Sequence, residues 1–281
     1  MIEIAGKPFD SSDMGPTDST EYRIIQVMQD SPVVYSYQSA EELLFEVKLR
    51  EHIMLSARLM NQSDAQFATF ALSRCNPLYW HLTEFGGFQL QEGVKPSEAI
   101  NDIFINSSLY AFECAGAKVI IYYHAVLQVI GETSFNQLFQ NIYIYSWHTD
   151  PDLGIDSTYS TYFLPGDVVY FMNPEVDPRV SHWRGENAVV LGEDTYFGHG
   201  IGIASADQII ETLNRARKPG ASQSAYLTNL VVRPSFKHLM KISLEPRVHS
   251  RSKPHLIIIT HNESSISYYR YSLFLGEYYG F

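Results

Sequence analysis

The chain carries two cysteines, and one of them, Cys114, directly follows Glu113 in AFECAGAKVIIYYHAV, residues 111–126. A cysteine is a strong nucleophile only as the thiolate, and it needs a base within hydrogen-bond reach. Most free cysteines are simply buried small apolar residues. Three features turn Cys114 towards chemistry. It lies at the entry side of a long apolar helical segment, where oriented N–H groups favour a thiolate. Glu113 adds a carboxyl group, which either raises the thiol pKa as an anion or serves as a base. Ala115, Gly116 and Ala117 then leave room for a substrate or another backbone. The start of the helix stays open. With Ser107 or Ser108 as its N-cap, Cys114 would lie past the first turn and feel little of the dipole.

A base and its orienter are offered further along. Leu191-Gly192-Glu193-Asp194 reads as a two-residue hairpin loop of type II′, with Gly192 at the first central position. Counting back from that loop sets Asn187 opposite Gly198 and Glu186 opposite His199. Directly opposed side chains have Cβ atoms about 4.5–5.5 Å apart, which suits a carboxylate–imidazole pair. A slip of one residue would part them. The spacing equally describes a surface cross-strand ion pair. Gly198 and Gly200 flank His199 and would let another element approach the imidazole.

The elements that must position these groups can be read from periodicity and punctuation. Ser39-Ala40-Glu41-Glu42 fits a capping box. The helix it opens reaches about Gln62, with Leu43, Leu44, Val47, Met54, Leu55 and Leu59 as its apolar face. Strand-like pieces follow at 66–72 and 79–82, then a hairpin turn at Phe85-Gly86-Gly87-Phe88 and a short helix from Pro96. The segment from about 109 to 130 is apolar on nearly every side and stops at Gly131, as a buried central helix would. From 142 the pattern changes to strands, at 142–148, after Pro165-Gly166-Asp167, at 187–191 and at 195–203. Ser205 then caps a helix reaching Lys218. Helices come first and strands second, which predicts an α+β architecture. Residues 242–281 carry RVHSRSKPH, LIIIT and a tyrosine-rich end, and are read either as an added strand or as a poorly ordered end.

Composition excludes some classes. The net charge of −11 argues against nucleic acid as a partner, because phosphate binding needs clustered Lys and Arg. With 45% hydrophobic residues and 19 tyrosines, the chain can build one sizeable core. No basic-plus-apolar leader and no run of 18 apolar residues is present, so neither a signal peptide nor a membrane span is expected. Two cysteines make no disulfide framework, and no CxxC or HExxH supplies metal-ligand spacing. No metal site is therefore expected, and Cys75 reads as a structural thiol.

In this order, a Cys at a helix start, PGDVVYF and GHGIGI resemble the papain-like NlpC/P60 core. The chain is closer still to the small protein-glutamine gamma-glutamyltransferases of spore-forming bacilli. That resemblance is carried by SAEELLFEVKLR (39–50), AQFATF (65–70), YAFECAGAKVIIYY (110–123), FMNPEVDP (171–178), WRGENAVVLGEDTYFGHGIGI (183–203) and GASQSAYL (220–227). It spans residues 1–241, taken as a single domain, and leaves 242–281 outside. It implies a Cys-bearing central helix packed on an antiparallel sheet. It also implies a calcium-independent transglutaminase without cofactor, which joins a glutamine side chain to a lysine amine, releases ammonia and cross-links spore coat proteins. Carried over by position, Cys114 is the nucleophile, Glu186 its acidic partner, His199 the histidine of the core and Glu113 a substitute for Glu186. Phe67, Trp147 and Trp183 would line a tunnel to the thiol. The partners implied are protein substrates, and the localisation is synthesis in the mother-cell cytoplasm followed by the spore coat. Two rival readings stand beside it, a cysteine amidase or peptidase of the NlpC/P60 type and a non-catalytic coat protein.

Overall fold

The computed structural model describes residues 1–10, 18–244 and 258–279. In chain order its strands are β1 (Ile2–Ile4), β2 (Lys7–Pro8), β3 (Tyr35–Tyr37), β4 (Gln66–Phe67), β5 (Trp80–Leu82), β6 (Phe88–Leu90), β7 (Ala111–Phe112), β8 (Tyr143–Ile144), β9 (Asp156–Tyr159), β10 (Val168–Met172), β11 (Gly185–Gly192), β12 (Thr195–Gly198), β13 (Gly202–Ala204) and β14 (Tyr226–Arg233). The helices are α1 (Thr20–Asp30), α2 (Ala40–Gln62), α3 (Pro96–Ile105), α4 (Cys114–Leu138), α5 (Ala206–Arg215), α6 (Phe236–Leu244) and α7 (Tyr268–Tyr279). Six strands make one antiparallel sheet in the order β13-β12-β11-β10-β14-β9. Helix α4 packs against this sheet on one side and against α2 and α3 on the other. This is the expected α+β, papain-like arrangement of a Cys-bearing central helix on an antiparallel sheet.

Helix α4 is where the sequence signals competed. Ala111–Phe112 pair as a strand with β4, so the helix cannot begin at 109 and begins at Cys114. Gly131 breaks the helical backbone with φ 77°, as a C-terminal glycine would, but about two further turns continue to Leu138. Residues Cys114 to Leu127 are buried on every face. By length and composition alone α4 would pass for a membrane span, contrary to the expectation from apolar runs. In this fold it is the core helix.

Helix α2 starts at Ser39 as expected, whose Oγ accepts from the Glu42 amide at 3.3 Å. The capping box is half made, since Glu42 accepts from the Gln38 amide instead. Its inward face differs from the apolar list: Leu44, Leu55 and Leu59 are exposed, while Glu46 and Arg50 are buried. Arg50 bridges Glu46 (2.9 Å) and Asp167 (2.8 Å), and also donates to the Pro165 carbonyl. This explains Pro165-Gly166-Asp167. Gly166 has φ 83° and lies so close to the Arg50 backbone that a Cβ would meet it at 3.0 Å. The turn thus locks α2 to the start of β10. Asp167→Ala leaves Arg50 buried and short of a counter-charge, and the expected loss is about 3–5 kcal/mol in urea unfolding.

The C-terminal region supplies neither an added strand nor a loose end where it is described. LIIIT lies partly outside the described residues, and Ile258–Thr260 have no regular structure. Residues 264–267 are buried, and α7 follows them.

Candidate active site

Glu113 is the N-cap of α4 and Cys114 is its first residue. The Glu113 carboxylate turns back onto the helix end, accepting from Ala115 N at 2.9 Å and Gly116 N at 2.5 Å. Its Oε2 also takes the Ser265 amide at 3.3 Å. Both carboxylate oxygens are therefore engaged by backbone donors. This answers why a carboxylate stands beside the thiol: it satisfies the orphan N–H groups that a helix start leaves. Burial pushes the Glu113 carboxyl up, and the three amides oppose the shift.

The thiol itself is fully buried. Asn187 Nδ2 donates to Cys114 Sγ at 3.3 Å and to the Ile266 carbonyl at 2.8 Å. Burial drives the thiol pKa well above its ordinary value, and the charges of Glu186 and Glu113 add to the rise. In this closed arrangement the neutral thiol is favoured despite its place at the positive end of a helix.

Glu186 is buried within electrostatic reach of Cys114, and its Oε1 has no hydrogen-bond partner among the described residues. Burial raises its carboxyl to about 8, Lys118 opposes the rise, Glu113 adds to it, and the backbone amide of His199 again opposes it. A carboxyl titrating near neutrality can both take and return a proton.

The expected Glu186–His199 side-chain pair is not made. The hairpin loop has Glu193 and Asp194 at its centre, both left-handed (φ 50° and 52°). Gly192, with φ 90°, pairs with Thr195 as the last strand residue instead of entering the loop. Leu191 is an extra residue, so the register beyond it runs Val190↔Tyr196, Val189↔Phe197 and Ala188↔Gly198. Carried one pair further, this sets Asn187, not Glu186, across from His199. β12 also ends at Gly198, so His199 sits in the turn leading to β13 and not within a strand. Its Nε2–H donates to the Gln66 carbonyl at 3.2 Å, and its ring stacks on Phe112 at 4.7 Å. Burial, helped by the Lys118 charge, lowers its pKa to about 3, so the imidazole is neutral. The flanking glycines do admit neighbours. The Glu186 side chain lies over Gly198, and Phe67 lies over Gly200.

The three expected tunnel aromatics fall into two groups. Phe67 and Trp183 stack at 6.4 Å, with Phe67 also 6.2 Å from His199. Trp147 is buried, packs edge-on against Tyr268 at 5.5 Å and donates from Nε1 to the Ile266 carbonyl at 3.1 Å.

Two residues of the site escaped the sequence reading. Lys118 is one helical turn from Cys114 and fully buried. Its Nζ donates to the Phe197 carbonyl at 3.2 Å and lies 4.5 Å from the Phe197 ring centre. Burial lowers its pKa, against the pull of Glu186, Cys114 and Glu113. A single cation inside AGAKVIIYY was a readable signal, because burying an isolated charge is costly unless a counter-charge awaits it. Asn187 gave no such signal.

A family model described as protein-glutamine gamma-glutamyltransferase matches residues 1–243. The chain belongs to this family. A protein-glutamine gamma-glutamyltransferase from Halalkalibacterium halodurans is 46% identical over 278 residues, which cover 98% of this chain and 97% of that one. One from Bacillus pumilus is 44% identical over 81% of this chain and 93% of its own. Among solved structures, a transglutaminase from Geobacillus stearothermophilus without its C-terminal extension is 51% identical. It superposes with a TM-score of 0.70, covering 73% of this chain and 98% of that one. Family members of this kind are acyltransferases, and the chain is an enzyme of that class.

Proposed function

We propose that the protein transfers the acyl group of a glutamine side chain to a lysine amine, with Cys114 as nucleophile and Glu186 as the group that moves protons. The observation that carries this is the unpartnered, buried Oε1 of Glu186, a carboxyl whose charge acts on the thiol at the first position of α4. The Glu186 carboxylate takes the thiol proton. The thiolate adds to the carboxamide carbon, the intermediate expels ammonia with a proton from Glu186, and a thioester remains. An incoming lysine amine loses a proton to Glu186 and displaces Cys114, leaving an isopeptide and the free thiol. Burial of the aromatic groups disfavours water as a competing acceptor. Glu113, whose oxygens are occupied, serves as the cap that presents Cys114. His199 positions Glu186 through its backbone amide, and its ring supports Phe112 ahead of Cys114. Phe67 and Trp183 line the approach.

Lys118 gives this reading a pH signature. Its cation holds the Glu186 pKa down, so Lys118→Met raises it. The limb of the pH–rate profile that rises as Glu186 ionises should move to higher pH by about 1 unit or more. An unmoved limb would take Lys118 out of the proton balance.

We further propose that the substrates are spore coat proteins, that the enzyme is made in the mother cell and retained in the coat, and that it needs no calcium. Support comes from the resemblance to the enzymes of spore-forming bacilli. The test is incorporation of a primary-amine probe into a glutamine-bearing protein, with and without a calcium chelator. Equal rates are expected. Ammonia or peptide release without amine transfer would instead favour the cysteine amidase.

A further inference from the structure

The segment from His261 to Tyr268 lies beyond the family's matched region, yet it sits on the thiol. The Ser265 amide reaches Glu113, and the Ser265 carbonyl accepts from Tyr170 Oη at 3.1 Å. The Ile266 carbonyl receives two side-chain donors, Asn187 Nδ2 at 2.8 Å and Trp147 Nε1 at 3.1 Å. Ile266 itself is fully buried. The segment is pinned on either side by Arg184–Glu263 (2.7 Å) and by Tyr268, which donates to the Ile155 carbonyl at 3.2 Å.

An acyl-transfer site needs preformed donors where negative charge develops on the carbonyl oxygen. The N–H groups of Ala115 and Gly116, the obvious source at this helix start, are spent on Glu113. Asn187 Nδ2 is the donor that touches both Cys114 Sγ and a carbonyl oxygen. Such a bridging position is what the oxygen of a carboxamide under attack by Sγ requires. The oxygen that fills it here belongs to the chain's own backbone.

We propose that Asn187 Nδ2 and Trp147 Nε1 bind the carbonyl oxygen of the glutamine side chain, and that Ile266 occupies this position as an internal competitor. When Sγ adds to the carboxamide carbon, the C=O electron pair moves onto oxygen, and these two N–H groups receive the charge. Substrate must first displace residues 264–266, so the apparent affinity for the glutamine donor is scaled by the fraction of molecules in which they have left. Ser265 sets that fraction. Its φ of 60° lies in the left-handed region, which glycine accepts freely and a β-branched residue resists.

The proposal rests on the acyl-transfer reading of Cys114, and the experiment separates the two. In the full chain, Asn187→Ala and Trp147→Phe should each lower kcat for amine incorporation by about 10²–10³-fold. Iodoacetamide should label Cys114 in both at least as fast as in the parent, because the competitor is held less tightly. Ser265→Val should lower KM for a glutamine donor peptide and speed labelling about tenfold, and Ser265→Gly should shift both the opposite way. Turnover within threefold of the parent in Asn187→Ala would overturn the donor assignment. Labelling and KM that do not split between the two Ser265 variants would overturn the competition. Either result alongside an inactive Cys114→Ala leaves the acyl-transfer reading standing, whereas an active Cys114→Ala removes both.

Discussion

Cys114→Ala abolishes incorporation of an amine probe, with residual rates at background, while the protein stays folded. The side chain is buried, and the exchange deletes one sulfur atom from a site that alanine can fill with little rearrangement. A destabilisation of about 1 kcal/mol is expected, small beside the total. Thermal unfolding monitored beside the activity assay separates the two effects. Cys75 accepts no part of the reaction: it is half-buried, burial lifts its pKa to about 11, and its Sγ contacts the Trp80 carbonyl. Substituting it with Ser leaves amine incorporation within twofold of the parent.

Glu186→Gln lowers turnover by about 10²–10⁴-fold, the range for loss of a proton-transfer group. It also changes how stability depends on pH, with a definite sign. In the folded protein Glu186 keeps its proton up to about 8, whereas its ordinary pKa is 4.5. Between these values the unfolded chain has released a proton that the folded chain still holds. Stability of the parent therefore falls as pH rises from about 4.5 to about 8. Glutamine has no such dependence. The melting temperature of Glu186→Gln should exceed that of the parent by more at pH 8 than at pH 5, with activity moving the other way. A difference that stays flat across the window would mean that Glu186 is ionised in the folded state. Any turnover left in Glu186→Gln that disappears with Glu113→Gln would identify Glu113 as the substitute base.

Much of the frame was legible because local signals were unopposed. Ser39, Pro96 and Ser205 mark helix starts that the structure keeps, the last with a full capping box. PGD announced a turn, although its reason, the Arg50 pair beneath it, lies in a distant helix. The start of α4 stays open in the sequence because the apolar run from 109 contains a short strand that only pairing with β4 reveals. The Glu186–His199 pairing failed on one residue. Gly192 suggested a loop that begins with it, but Glu193 and Asp194 form the loop and Leu191 bulges out. A period of two gives no warning of a bulge. Glu186 nevertheless stays within electrostatic reach of Cys114, since the strand that carries it is set by its pairing with β10 as well as β12. The role of Glu113 as a cap was hidden by its type, because Ser, Thr, Asp and Asn are the usual residues there. Nothing local in SSIS, residues 264–267, shows that it ends on the thiol. That contact depends on Asn187, Trp147 and Tyr170, from three separate parts of the chain.

The central claim is that Cys114 carries the acyl group. It is tested most directly by incubating the protein with a glutamine donor peptide and no amine, quenching in acid and measuring the mass of the Cys114 peptide. The expected product is the donor peptide joined to Cys114 with loss of one ammonia, an adduct that disappears when a primary amine is added. Amine transfer that proceeds with Cys114 unmodified, or an adduct on Cys75 instead, would contradict it.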